Sequence, residues 1–295
     1  MVSISVIIVN WNTQDTLIHC LESLYKNTKI PFDVYIIDNN TGKKNTRLET
    51  VIRNYKNINI IKNGRNLGFA YAVNQGILSS QGDYVLTLNP DVTVTAGYVD
   101  SLFHTIRSDK KIGAVSGKLL SSGNKGILDS TGQIIYKNRF ARDRGHREID
   151  ANQYQEGGVF GTCAAATLYR REMLEDIKIN NEYFDSDFFA YLEDVDLAWR
   201  AQMKGWKFYF IKDATAYHQR AVSTKTVFKK TKRKFWGWRN RFLMIIKNDS
   251  LLSIVINLPF LLFCPLKSVK MLRKRRVIQK TRIIKHDEVA RWFLW

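Results

Sequence analysis

Over the first 90 residues, apolar runs alternate with helix-spaced segments, and polar clusters punctuate them. Ser3 to Val9 is β-branched and apolar at nearly every position, which predicts a strand covered on both faces. Asn10-Trp11-Asn12-Thr13 breaks it. Leu17, Cys20, Leu21 and Leu24 then fall at i, i+3, i+4, i+7, one face of a helix. Val34 to Ile37 reads as a strand ending in Asp38-Asn39-Asn40. A polar helix near Arg47 to Tyr55 leads to a strand at Ile58–Ile61. Asn66-Leu-Gly68-Phe69 opens another helix through Ala70, Val73 and Ile77. Tyr84 to Leu88 is a strand that ends at Asn89-Pro90-Asp91. Strand and helix in alternation predict an α/β fold, a mostly parallel sheet with flanking helices. Ligands of such sheets bind beyond the carboxyl ends of the strands, where the three polar clusters lie.

The pattern weakens further on. Ile112 to Leu120 predicts a strand, and Ser121 to Gln155 predicts loops and short strands. Gly161 to Tyr169 reads as a small-residue strand followed by Arg170-Arg171. Phe188 to Leu192 leads into Glu193-Asp194-Val-Asp196, and Leu197, Ala198 and Ala201 continue as a helix that Gly205 closes. Trp206 to Ile211 predicts a short strand, and Ala214 to Ser223 carries His218.

Composition narrows the choice. The 295 residues are 45% hydrophobic, enough for a sizeable core. Three cysteines, Cys20, Cys163 and Cys264, at unrelated spacings exclude a disulfide framework and a Cys-type zinc site, and fit a reducing compartment. Met1 to Asn10 has no basic n-region, so no secretory signal is expected. Neither GxGxxG nor GxxxxGK[ST] occurs. The net charge of +19 is concentrated at one end. From Ala221 onward there are 19 Lys and Arg against three acids, a net of +16, whereas the preceding 220 residues hold the other 27 bases and 24 acids, a net of +3. A cationic tail of this kind seeks a polyanion.

Three groups of side chains carry candidate chemistry. Asp91, in a turn after a buried strand, either ends the strand and caps a helix or holds a hard cation with substrate phosphates. Glu193, Asp194 and Asp196 at a helix start either complement its dipole or supply a general base. Asp196 lies four residues before Arg200, so the two pair along one face, and Asp194 points away from it to serve chemistry. His218 is either a packed histidine or, with Asp91, part of a mixed O/N site for Mg²⁺ or Mn²⁺.

The set resembles the family 2 glycosyltransferases of GT-A fold and, more narrowly, bacterial rhamnosyltransferases of surface-polysaccharide synthesis. The matching residues are Val6 to Asn12, Ile37 to Asn40, Asn66 to Phe69 with Asn74, Leu86 to Asp91, Gly161 to Ala164 with Arg170-Arg171, and Phe189 to Arg200. The resemblance implies a nucleotide-binding GT-A domain over residues 1–220. Val9, Asn10, Asn12 and Asp38 would hold base and ribose, and Asn66, Gly68, Asn74 and Asn89 the rest of the nucleotide sugar. Asp91 matches the last acid of a D-x-D turn whose first acid is replaced by Asn89. Asp91 and His218 would bind a divalent metal, Mg or Mn. Asp194 would be the catalytic base of an inverting transfer. Gly161, Thr162, Cys163, Glu193 and Trp199 would line the acceptor pocket. The resemblance leans towards dTDP-rhamnose as donor and a lipid-linked or growing glycan as acceptor. UDP-hexose or UDP-N-acetylhexosamine donors, or a non-catalytic nucleotide-sugar-binding assembly protein, are the alternatives.

Residues 221–295 form a second unit, a basic and mainly helical extension. Phe228, Phe235, Trp238, Phe242 and Ile245 make a helical apolar stripe among lysines and arginines. Ser250 to Leu266 is uncharged over 17 residues. As a helix it would span ~26 Å, short of the ~30 Å hydrocarbon core, and Pro259 and Pro265 interrupt it. A re-entrant or in-plane segment at the cytoplasmic face of an anionic membrane is expected, with a buried hairpin as the alternative. Aromatics among bases also suit single-stranded nucleic acid, but the uncharged run argues against it, so no nucleic-acid partner is expected.

Overall fold

The computed structural model describes residues 3–39, 46–124, 126–220, 230–257 and 265–295. β1 (Ile4–Asn10), β2 (Phe32–Asp38), β3 (Ile58–Lys62) and β4 (Tyr84–Leu88) run parallel in the order β3-β2-β1-β4. Helices α1 (Gln14–Asn27), α2 (Thr46–Asn54) and α3 (Phe69–Ser79) connect them. Leu17, Cys20, Leu21 and Leu24 of α1 are buried, as their spacing predicted. Parallel strands bring Asn10, Asp38 and Leu88 to one edge, so the polar clusters meet there.

Beyond β4 come β5 (Val92–Val94), α4 (Tyr98–Ser108), β6 (Ile112–Ser121), β7 (Leu128–Ser130), β8 (Gln133–Tyr136), β9 (Ala141–Asp143), β10 (Gly157–Val159) and β11 (Ala166–Arg170). Then follow α5 (Arg171–Ile177), a 3-10 turn at Ser186–Phe188, α6 (Glu193–Met203) and β12 (Lys207–His218). The main sheet has the order β10-β12-β6-β11-β4-β1-β2-β3, with β11 antiparallel between β4 and β6. Gly205, at φ +83, closes α6 as expected.

Two strand predictions need correction. The two segments after Gly205 form one strand, β12, bulged between Ile211 and Thr215. The small-residue segment is strand only from Ala166; before it, the Ala164 N–H donates to the Asp194 carboxylate instead of to a ladder.

The chain continues through α7 (Lys230–Asn248), α8 (Leu251–Ile256), α9 (Pro265–Thr281), α10 (His286–Ala290) and β13 (Phe293–Leu294). These elements share the core of the body. β13 joins β8 and β9 in a second sheet, and Phe293 packs edge-on against Trp199 at 5.1 Å. A buried ionic cluster fixes α7 and α9 to α6. Lys247 Nζ lies 2.6 Å from Asp185 and 2.7 Å from Asp196; Asp196 also takes Arg200 at 3.0 Å and Asn248 at 2.8 Å. Lys274 reaches Asp185 at 2.6 Å.

Of the predicted stripe on α7, Phe242 and Ile245 are buried as expected, whereas Phe235 and Trp238 are exposed and Trp236 is buried in their place; Phe228 lies outside the described residues. The helix is oriented by Asn240, whose Nδ2 lies 2.7–3.0 Å from the carbonyls of Phe188, Ala190 and Tyr191. Of the uncharged run, residues 250–257 and 265–266 are described; the face of α8 formed by Leu251, Leu252, Val255 and Ile256 is 64–71% exposed, not buried as a packed hairpin would have it. Pro259 lies outside the described residues. Among the described residues, no helix is long and apolar enough to cross a membrane.

Candidate active site

Beyond the carboxyl ends of β1, β2 and β4 lies a cleft of about 360 Å³, within the range of small-molecule sites. Asp91 and Asp194, 103 positions apart in the chain, both line it. β5 pairs with β12 so that Val92 lies opposite His218, which brings His218 beside Asp91: Nε2 is 3.3 Å from Oδ1. The other ring nitrogen is 2.8 Å from Asp129 Oδ2 on β7. Arg220 pairs with both Asp129 and Asp143. Burial alone would make His218 less basic, but its bonds to Asp129 and Asp91 outweigh that and raise it to about 9. Burial opposes ionisation of Asp129 as well; bonds from His146 and His218 still hold its carboxyl far below the usual range.

Asp194 opens α6. Its Oδ2 accepts from Gln133 Nε2 at 2.8 Å and from the Ala164 N–H at 3.2 Å. Burial, then the charge of Asp143, raises it to about 6. Glu193 is pushed higher, to about 8, by burial and by Asp194. Burial thus disfavours the charge of Glu193 more than that of Asp194, so Asp194 is the first of the two neighbouring carboxyls to ionise. The loop before α6 holds Phe189, Tyr191 and Leu192 at positive φ. Such strain persists only where packing over-determines it, and Asn240 supplies that packing.

The expected donor residues divide. Val9, Asn66, Gly68 and Asn89 line the cleft. Asn10, Asn12 and Asp38 do not line it; their neighbours Trp11 and Asn39 do. Asn74 is a correction: it is buried, donates to the Phe184 carbonyl at 2.7 Å and accepts from the Tyr183 and Phe184 N–H groups, so it ties α3 to the chain before α6. On the acceptor side, Cys163 and Glu193 line the cleft. Burial keeps the Cys163 thiol neutral. Trp199 is also a correction, because it is fully buried against Phe293. Gly161 and Thr162 lie behind the lining; a Cβ on Gly161 would come within 2.6 Å of Gln133 Oε1.

Asp129, Gln133, Asp143 and Arg220 escaped the sequence reading. Three of them come from the stretch with the weakest periodicity. Arg220, two residues after His218, was the one with a visible signal.

Among the described residues, no group of three His, Cys, Asp or Glu could hold a metal. Asp91 and His218 would take a cation completed by substrate oxygens only in exchange for the Nε2 proton that the two carboxylates hold on His218. Their 3.3 Å separation is close to the ~3 Å between adjacent ligands of an octahedral Mg²⁺. The Asp129 carboxylate behind His218 is the usual partner of a metal-bound imidazole.

The chain is similar to N-acetylglucosaminyl-diphospho-decaprenol L-rhamnosyltransferase of Mycobacterium tuberculosis, 25% identical over 245 residues that cover 74% of this chain and 76% of that protein. It is 23% identical to poly-beta-1,6-N-acetyl-D-glucosamine synthase of Staphylococcus aureus, over 69% of this chain and 47% of the other. Among solved structures, GalNAc-T7 with UDP, GalNAc and Mn²⁺ superposes with a TM-score of 0.65 at 14% identity, covering 84% of this chain and 49% of that one. S. aureus TarS in complex with UDP-GlcNAc superposes with 0.61 at 17% identity, covering 84% and 68%. These likenesses show the GT-A fold. The model of glycosyl transferase family 2 matches residues 5–178, more than half of the chain. The chain therefore belongs to glycosyl transferase family 2.

Proposed function

We propose that the protein is an inverting glycosyltransferase that moves a sugar, L-rhamnose from dTDP-rhamnose, onto a hydroxyl of a lipid-linked or growing glycan. The observation that carries this reading is the opening of Asp91 and Asp194 onto one cleft. The nucleotide sugar lies over Val9, Trp11, Asn39, Asn66 and Gly68. Asp194, ionised at neutral pH, takes the proton of the acceptor hydroxyl as that oxygen attacks the anomeric carbon from the face opposite the nucleotide, and configuration inverts. Gln133 and the Ala164 N–H hold the carboxylate in place. General-base help of this kind is worth ~10²–10⁴-fold. Asp91 and His218 would hold a divalent cation with the substrate diphosphate; bound there, it supplies Lewis-acid neutralisation of the leaving group. The rhamnose assignment rests on the Asn-Pro-Asp turn and on the likeness to the mycobacterial enzyme.

The α7–α9 region carries exposed Lys232, Lys234, Arg273, Arg276 and Lys280. It would meet anionic lipid at the cytoplasmic membrane surface, where such an acceptor is found. The test is transfer from a panel of dTDP- and UDP-sugars with Mg²⁺ or Mn²⁺ to an N-acetylglucosaminyl-diphospho-lipid. Transfer from dTDP-rhamnose above the other donors is expected. Transfer from a UDP-sugar alone would replace the donor, and no transfer from any donor to this or a polysaccharide acceptor would reject the reading.

A further inference from the structure

We propose that Asn240, on α7 of the C-terminal extension, is a positioning residue for the transfer reaction: it holds the turn over residues 188–192 in the form that sets both Asp194 and the donor-side end of α3. This role rests on the reading that Gly68 lies under the nucleotide and that Asp194 is the base, and it gives the extension a part in the chemistry of the body.

The turn is one that its own residues disfavour. Phe189 has φ 65 and ψ −60, and the Ala190 N–H donates to the Phe188 carbonyl at 2.8 Å, a γ-turn of the rare, strained hand. Tyr191 and Leu192 follow at φ 72 and 66. None of the three is glycine, so each Cβ opposes the conformation. The carbonyls of Phe188, Ala190 and Tyr191 converge on the fully buried Asn240, whose Nδ2 donates to them at 3.0, 2.9 and 2.7 Å. Asn240 is held in turn by Arg239, whose Nη2 lies 2.8 Å from Asn240 Oδ1 and 3.0 Å from the Phe188 carbonyl. One helical turn earlier on α7, the Trp236 ring packs 4.9 Å from that of Phe189. Trp236 and Asn240 are four residues apart, so one face of α7 holds the turn by an amide and a ring together.

The turn acts on both sides of the cleft. On the donor side, the Phe189 carbonyl accepts from the Phe69 N–H at 2.7 Å, and so caps the start of α3, which has no side-chain cap. The Phe189 ring fills the space beside Gly68, and Gly68 and Phe69 both line the cleft. On the other side, the Leu192 carbonyl accepts from the Asp196 N–H at 2.9 Å, so the end of the turn is the start of α6 and Asp194 lies within that first helical turn. A turn that relaxed to ordinary φ values would move both ends. Displacing a reacting group by 1 Å can cost ~10²-fold in rate.

Asn240→Ala in the full chain tests the role, with kcat, donor KM and nucleoside diphosphate affinity expressed per folded molecule and the folded fraction read from a urea curve. We expect kcat to fall about ten-fold or more and nucleoside diphosphate to bind more weakly. Phe242→Ala, two residues on and so about 200° round the same helix, should lower the urea midpoint and leave kcat and affinity per folded molecule unchanged. Glycine takes positive φ without being held, so in a Tyr191→Gly background the loss of kcat caused by Asn240→Ala should shrink about three-fold or more. Should Asn240→Ala fail to fold, Asn240→Ser keeps a donor on the same carbon and should show the same losses in smaller measure. Natural kcat and affinity in the folded Asn240 variant, equal losses in Phe242→Ala, or the same loss with and without Tyr191→Gly would each overturn the proposal. Nucleotide binding without transfer in the natural sequence would count against the proposed transfer alone, and the affinities would then decide the role of Asn240.

Discussion

Replacing Lys247 by Met should destabilise the fold and loosen the helix that carries Asp194. Lys247 is fully buried and bridges Asp185 and Asp196 at 2.6 and 2.7 Å. Methionine fills a similar volume but leaves two buried carboxylates short of a cation. Removing one partner of a buried ion pair costs about 3–5 kcal/mol. Here Asp185 keeps Lys274 at 2.6 Å, and Asp196 keeps Arg200 at 3.0 Å and Asn248 at 2.8 Å. Those partners put the loss near the low end, about 3 kcal/mol. With an m-value of about 3 kcal/mol per molar for a chain of this size, the urea midpoint should fall by about 1 M. Adding Asp185→Asn removes one uncompensated charge and should restore part of the midpoint. Because Asp194 lies two residues before Asp196, kcat should fall more than donor affinity. A midpoint shift below about 0.2 M, about 0.6 kcal/mol at that m-value, would show that the Lys247 bridge contributes little to stability.

The remaining predictions concern the site. Asp194 must be ionised to act as base, so kcat should rise with pH through about 6 and level off above it. Asp143→Asn removes a charge that raises Asp194, so the rise should move to lower pH; a pH–rate profile that shifts upward or not at all contradicts the assignment. Gly68 sits at φ +88, where an added Cβ would lie 2.6 Å from the Phe189 ring and 2.7 Å from its carbonyl oxygen. Gly68→Ala should therefore cost about 1–3 kcal/mol and raise the donor KM, read by urea unfolding and initial rates.

The first four strands and three helices were legible because each buries a face with a regular period, and the parallel order follows from strand–helix alternation. The polar clusters at the strand ends then located the cleft. That Asp194 and Asp196 face apart was also legible, since rotation about one helix separates them; Asp194 lines the cleft and Asp196 pairs with Arg200. What could not be read depends on tertiary contact. Nothing local to Leu128-Asp129-Ser130 marks Asp129 as the partner of His218; the β7–β6–β12 pairing brings them together. Asn74 and Trp199 matched the family pattern by type, but burial turned them to the core. The first half of α7 departs from the period, with Trp236 buried instead of Phe235 and Trp238, because a polar residue, Asn240, bonds to the carbonyls of Phe188, Ala190 and Tyr191, a choice hydrophobic periodicity does not register.

If Asp194 removes the acceptor proton in the cleft it shares with Asp91, a single-turnover transfer assay of Asp194→Asn, run beside equilibrium binding of the nucleotide sugar, reveals it. Donor binding should be unchanged and turnover reduced by ~10²-fold or more. Turnover equal to that of the natural sequence, with donor binding intact, would show that another group takes the proton.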